Sequence, residues 1–307
     1  MTAAPPRSGV LVVDKAAGPT SFDVVGLVRR GLRHRRVGHA GTLDPAATGV
    51  LPVLLGEATK LVPYLQEMDK TYVATVRLGV RTDTQDLTGR VLATAPVPVL
   101  GVADVERAAA AFVGRIRQVP PMYSAVHHGG RRLYELAREG VEVAREAREV
   151  FVREIVVEHL APPLVTLRVV CGKGTYVRTL AADLGEALGC GAAVEALRRT
   201  RAGPFDLEGA VPSSALADMT AEELRRHVRA PVTALAGWPR VRLGEVAAER
   251  FRHGQSVEAR TPPGARRVAV LADADDRLLG VGEIVAGRVQ PARILHADHP
   301  GPRVLPA

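Results

Sequence analysis

One carboxylate in this 307-residue chain stands where its surroundings suit chemistry. Asp44 lies in the stretch Gly38-His39-Ala40-Gly41-Thr42-Leu43-Asp44-Pro45-Ala46-Ala47-Thr48-Gly49, directly after the basic run Arg33-His34-Arg35-Arg36. Glycine adopts backbone angles other residues resist, while Pro45 fixes its own φ and biases Asp44 away from helix. The expected result is a carboxylate at the tip of a stiff loop, beside the ring of His39 and near cations. Such a group is a candidate nucleophile, able to split one difficult step into two easier ones. Local chemistry alone also describes an ordinary turn, in which the aspartate accepts nearby backbone hydrogen bonds.

Other chemistry-bearing spacings are few. Gly172-Lys173-Gly174-Thr175 reads as a turn into a helix, whose free N–H groups favour an anion such as phosphate. It is not a nucleotide-binding loop of the Walker type, because position 167 is Leu where that spacing needs Gly. No dinucleotide fingerprint, H-E-x-x-H motif or Cys/His cluster is present, and no C-x-x-C pair offers a zinc site. Cys171 and Cys190 are too few for a disulfide framework and read as packed thiols in a reducing compartment. Lys and Arg together number 41, yet only Lys15, Lys60, Lys70 and Lys173 are lysines. A retained Lys in so Arg-rich a chain suggests a position that wants a compact ammonium.

The charge of +8 and the pI near 10 favour a polyanionic partner. The basic residues are spread along the chain rather than gathered in a tail, so folding must assemble any footprint for that partner. The opening Met1-Thr2-Ala3-Ala4-Pro5-Pro6-Arg7 lacks the apolar stretch of a signal peptide. No apolar run approaches a membrane span. The expectation is a cytoplasmic protein of two domains.

The elements that must position Asp44 follow from patterning. Residues 9–13 read as a buried strand, and Ser21 to Arg30 as a helix capped by Thr20 or Ser21 and stopped by Gly31. Residues 50–55 are apolar and expected to be buried, and 72–78 alternate as a half-buried strand. Asp104 is predicted to cap a helix reaching about Gly114. The segment 124–150 reads as a glycine hinge followed by a short basic-edged helix. Strands are expected near 151–159 and 164–171, then a helix over about 176–188. Thr220-Ala221-Glu222-Glu223 is a capping box. Past Trp238, short strands are expected at 241–243, 268–272, 278–281 and 284–286.

A set of blocks in fixed order resembles one family. Gly9-Val10-Leu11-Val12-Val13-Asp14-Lys15 with Gly18-Pro19-Thr20-Ser21 resembles the opening motif of the TruB-type tRNA pseudouridine synthases, and the Asp44 loop resembles their catalytic-aspartate motif. The match continues through Gly56-Glu57-Ala58-Thr59-Lys60, Asp69-Lys70-Thr71-Tyr72 and Arg81-Thr82-Asp83-Thr84. It extends through Pro121-Met122-Tyr123-Ser124-Ala125, Gly172 to Thr179, Leu188 to Ala192 and Leu197-Arg198-Arg199. All four lysines fall inside these blocks.

The resemblance implies an α+β fold: a pseudouridine-synthase-like catalytic domain over 1–237, with a mixed, largely antiparallel sheet and flanking helices. A small β-rich, PUA-like RNA-binding domain would follow over 238–307. Residues 124–150 would be a mobile insertion closing on the RNA. The implied activity is conversion of the tRNA T-loop uridine at position 55 to pseudouridine, an isomerisation with no cofactor and no metal. By resemblance Asp44 is catalytic, Arg178 pairs with it, and Tyr72 stacks on the flipped uracil, its hydroxyl helping to move a proton. Tyr176 and Leu197 would line the base pocket, His39 would fill the vacancy in the RNA loop, and Lys15 and Lys173 would contact phosphate or buttress the site. The residues themselves also allow blander roles: core packing for Tyr72 and Tyr176, a helix-surface cation for Arg178, a hydrogen-bonded loop residue for His39.

The implied partner is the tRNA T-arm, read by shape and splayed bases, with no protein partner and a monomer as the simplest state. Two rivals belong to other classes. A non-catalytic tRNA-binding or folding chaperone would use the same cleft. A glycosidase-like hydrolase would need a second carboxylate opposite Asp44, and none is matched.

Overall fold

A computed structural model describes residues 8–124 and 126–296. Its contacts divide the chain into two compact units that interleave along the sequence. One comprises Asp44–Gly49 and Glu67–Ala202; the other comprises Met1–Leu43, Val50–Gln66 and Gly203–Ala307.

The unit that contains Asp44 is organised by five antiparallel strands in the order Ala192–Ala202, Lys70–Leu78, Leu164–Cys171, Arg148–Ala161 and Gly114–Gln118. Thr48 and Gly49 add a short parallel pairing to Arg198 and Arg199. Strict alternation sends Val165, Leu167, Val169 and Cys171 inward along one strand, and Ala74, Val76 and Leu78 along its neighbour. The helices Val102–Ala110 and Val177–Ala187 lay Val105, Ala109, Leu180 and Leu184 on the core these strands form. Each buried Val or Leu contributes roughly 1.5–3 kcal/mol relative to exposure.

The first of these helices corrects an expectation. Gly101 is its cap and Asp104 its third residue, reaching back to accept the Gly101 N–H at 2.9 Å. The helix ends at Ala110 rather than near Gly114. The second helix begins after Tyr176, whose backbone N–H and carbonyl are both held by the Gln118 amide, at 3.0 and 3.3 Å. At its far end Gly185 packs so tightly on Ala192 that a Cβ would fall 2.3–2.4 Å from it, fixing helix against strand. The 124–150 segment is a hairpin, His127–His128 with Arg131–Arg132, and the helix Leu133–Arg138. Its Leu133 and Leu136 form a small cluster with Met122, just before the segment.

In the other unit the helix Ser21–Gly31 is capped by Thr20 in a reciprocal box with Asp23. The strand Gly9–Lys15 runs parallel to Val211–Pro212, and Val37–His39 pairs antiparallel with residues 53–55. The C-terminal segment has its own five-stranded sheet, in the order Arg240–Leu243, Arg267–Ala272, Leu278–Val285, Arg288–Ile294, Val257–Glu258, around Phe251 and Val270. The strands expected at 278–281 and 284–286 are therefore one, and Arg288–Ile294 was not anticipated. This sheet is bound to its own unit by a polar node. Glu57 takes Lys60 Nζ at 2.6 Å and the His296 N–H at 3.0 Å, and Lys60 also donates to the Ile294 carbonyl at 2.8 Å. Trp238 packs edge-on to Tyr64 with ring centroids 5.7 Å apart.

Candidate active site

Asp44 leads a tight turn in which its carbonyl accepts the Ala47 N–H at 3.1 Å. The loop leaves through Gly49, at φ +105°, where a Cβ would lie 2.1 Å from the Arg199 carbonyl oxygen. Only glycine fits both the angle and the approach. The Asp44 side chain is 39% exposed, so a substrate can reach it.

Arg178 is the fixed partner. Its side chain is 5% exposed, and its Nε donates to Asp44 Oδ2 at 2.8 Å. Its Nη1 donates to the Thr84 carbonyl at 2.7 Å and its Nη2 to the Tyr123 carbonyl at 2.8 Å. Three bonds from one planar fork to three chain segments orient the guanidinium, and the charge-assisted one orients the carboxylate. Arg178 is thus not a helix-surface cation. It comes from the first turn of the Val177–Ala187 helix, which faces the sheet core.

A second carboxylate, Asp86, lies 3.8 Å from Arg178 Nε and lines the same cavity as Asp44, Arg178, Leu87 and Leu197. Its Oδ1 accepts from the Thr84 hydroxyl at 2.8 Å and from the Thr88 N–H at 3.0 Å and hydroxyl at 2.5 Å. So engaged, it is an anchor for the loop and a counter-charge to Arg178. The matched motif stops at Thr84, two residues short of Asp86. The signal for it was the acid repeating at the third position after Asp83 in a run of hydroxyl residues.

Tyr72 is partly buried on the strand Lys70–Leu78, packed on the unit's core. Burial pushes its phenol up; hydrogen bonding and charge from Arg199 oppose this, and the Asp44 carboxylate adds to it. Tyr176 is likewise pushed up, first by burial, with Arg148 opposing and Asp44 adding. Both phenols therefore stay protonated well past neutrality, within the field of Asp44. Leu197 is opposite Ala74 in the adjacent strand and takes the Thr48 hydroxyl on its carbonyl at 3.5 Å.

Asp44, Tyr72, Tyr176, Arg178 and Leu197 thus belong to one unit. His39 and Lys15 belong to the other, His39 half-buried on a strand beside Val53. Lys15 is 0% exposed, with Nζ donating to the Ala16 carbonyl at 3.0 Å. So enclosed, its ammonium is not presented to a phosphate, contrary to one of the roles the resemblance implies for Lys15. Lys173 is exposed beside Glu67, 3.7 Å away.

Lys70 is buried at 7% exposure and donates to the Met68 carbonyl at 2.6 Å. Burial first, and Arg199 second, bring it down from 10.5 to about 8. An unfolded lysine keeps its proton to higher pH, so between about 8 and 10.5 the unfolded chain binds more protons and stability rises with pH. Urea unfolding from pH 7.5 to 10.5 should show the wild type gaining on the order of 2 kcal/mol relative to Lys70→Met. A constant gap between the two would contradict this.

Among the described residues no group of three or more His, Cys, Asp or Glu is placed to hold a metal, and no helix is long and apolar enough to cross a membrane.

This constellation, an exposed-edge carboxylate gripped by a buried arginine beside protonated aromatic hydroxyls, fits the comparisons with known proteins. Residues 29–177 match the model of the TruB family pseudouridylate synthase N-terminal domain. Residues 178–236 match the tRNA pseudouridylate synthase B C-terminal domain, and 239–295 the C-terminal domain of pseudouridine synthase II TruB. The tRNA pseudouridine synthase B of Burkholderia mallei (strain NCTC 10247) is 50% identical over 294 residues, 94% of this chain and 96% of its own. That of Ralstonia nicotianae (strain ATCC BAA-1114 / GMI1000) is 48% identical, covering 94% of each. A chain in the crystal structure of a Cbf5-Nop10-Gar1 complex superposes with TM-score 0.74 at 28% identity, over 94% of this chain and 85% of that one. A chain of an H/ACA RNP bound to a substrate RNA containing 2′-deoxyuridine gives 0.73 at 26%, with the same coverage.

The chain belongs to the TruB family of pseudouridylate synthases, which are isomerases. Its fold is that family's, a mixed sheet with helices and a PUA-like C-terminal sheet.

Proposed function

We propose that the protein is a tRNA pseudouridine synthase, an intramolecular transferase that isomerises the T-loop uridine at position 55 with Asp44 as nucleophile. The observation that carries this reading is the Arg178–Asp44 pair, 2.8 Å apart, in a cavity that Leu197 also lines. The reaction breaks an N-glycosidic bond, turns the base and rejoins it through carbon, with no net redox change and no group supplied from outside. Extruding the uridine costs a few kcal/mol. Stacking on Tyr72, worth about 1–3 kcal/mol, offsets part of it. The Tyr72 hydroxyl stays protonated and available for proton movement, and Leu197 and Tyr176 close the base pocket. His39 occupies the place the base vacates, and Lys173, in the turn before the Val177–Ala187 helix, meets a phosphate.

In this reading 1–237 is catalytic, 124–150 closes over the T-arm, and 238–307 adds RNA contacts. The protein acts as a monomer, without a protein partner, where tRNA is matured in the cytoplasm. The test of position is an unmodified tRNA transcript beside the same transcript with uridine 55 replaced by cytidine. Pseudouridine is expected at that one position in the first and nowhere in the second. Modification that persists in the second transcript would overturn the assignment of the target.

A further inference from the structure

Arg199 is buried among the core residues at 1% exposure, and a guanidinium in such a place needs a task. It is on the strand Ala192–Ala202, between the two elements that carry the proposed chemistry. On one side its backbone pairs with Gly49, where the Asp44 loop ends, at an approach that excludes any Cβ. On the other side it stands directly opposite Tyr72 in the antiparallel register, and its guanidinium donates to the Tyr72 hydroxyl oxygen. The neighbouring Arg198 adds a bond from Nη1 to the Thr48 hydroxyl at 3.3 Å, tightening the same junction.

We infer that Arg199 is a positioning residue for the reaction: it locks the Tyr72 hydroxyl in place, against the strand that anchors the exit of the Asp44 loop. This rests on the function proposed above and names how its tyrosine is held. An arginine does not give up its proton, so it is always a donor here. With the phenol oxygen taken as acceptor, the phenol's own proton is left to point elsewhere, toward a bound base. Cys171 and Asp44 also face this phenol, and Lys70 lies beside Arg199. Losing Arg199 removes its hydrogen bond to the phenol and frees the hydroxyl to rotate.

The test is a double-mutant cycle of Arg199→Gln and Tyr72→Phe in single-turnover assays on tRNA, with tRNA binding measured separately. Arg199→Gln alone is expected to lower the rate by about 10–100-fold with binding changed less than about 3-fold. In the Tyr72→Phe background the same change should cost less than about 3-fold, because the group it acts through is gone. Arg199→Lys, which keeps a donor, should recover part of the loss.

A second readout does not depend on activity. The phenolate absorbance of Tyr72, taken as the difference between wild type and Tyr72→Phe, should move to higher pH in Arg199→Gln, since a donor to the phenolate is lost. If Arg199→Gln fails to fold, the same two readouts are taken on Arg199→Lys, with smaller shifts in the same directions. Equal rate losses in both backgrounds, or an unmoved Tyr72 ionisation, would overturn the inference. A wild type inactive on tRNA would instead overturn the proposed function, leaving the absorbance measurement to judge the Arg199–Tyr72 bond alone.

Discussion

Replacing Asp44 by Asn is expected to lower turnover on tRNA on the order of 10³-fold or more, while tRNA affinity stays within about 3-fold. The change is isosteric. The amide oxygen still accepts from Arg178 Nε, so the 2.8 Å contact and the turn to Ala47 can persist. Asp86, 3.8 Å from the same nitrogen, still supplies a negative counter-charge to the buried guanidinium. What disappears is the anionic oxygen able to form a covalent bond. Single-turnover kinetics beside a filter-binding isotherm separate these effects. A variant that binds normally and retains a tenth or more of the activity would remove Asp44 from the chemistry.

Arg178→Met should damage both folding and function, and its stability loss should exceed that of Asp44→Asn. The side chain buries at 5% exposure and serves Asp44, Thr84 and Tyr123 at once. Methionine fills much of the volume but strands two carbonyls and leaves Asp86, 14% exposed, without its cation. Breaking a buried pair from one side typically costs about 3–5 kcal/mol, and the partial exposure of Asp44 places the expected value near the lower end, about 3 kcal/mol. Turnover should fall about 10²–10³-fold among molecules that remain folded. Arg178→Lys keeps the charge but offers one nitrogen for three acceptors, so it should recover stability better than activity. Urea denaturation with activity measured per folded molecule checks both; a Met variant as stable as wild type would show that the network is ornamental.

The features legible in the sequence share a local cause. Thr20 with Asp23 three residues on is a complete capping box, and it starts the helix at Ser21. The alternation of Tyr72 to Leu78 becomes a strand because one face meets the core. Glycines and Pro45 around Asp44 encode a turn whatever surrounds it. The features that escaped depend on partners distant in the chain. Asp104 looks like a cap, yet Gly101 takes that place because the aspartate can reach back to it from the third position.

The gap expected between residues 281 and 284 contains Gly282, and Gly280 lies just before it. In the fold they let neighbouring strands approach: a Cβ would lie 2.0 Å from the Arg293 carbonyl at the first, and 2.5 Å from the Val289 side chain at the second. The strand Arg288–Ile294 was hidden by Pro291, which a ladder tolerates where its missing N–H faces no neighbour. Arg178 and Asp44 are 134 residues apart, and nothing in the local sequence of either shows that they meet. The family resemblance supplied that pairing; it gave no hint of Asp86, nor that Lys15 would be wholly enclosed.

The most direct test of the central claim is tritium release from tRNA labelled as 5-³H-uridine, with wild type and Asp44→Asn, followed by chromatography of the products. The account expects wild type to release one tritium per tRNA and to leave pseudouridine with no free uracil. Asp44→Asn should bind the same tRNA and release no measurable tritium in the time wild type takes to finish. Free uracil would make the protein a hydrolase. Binding without release by either form would leave it an RNA-binding member of a catalytic family.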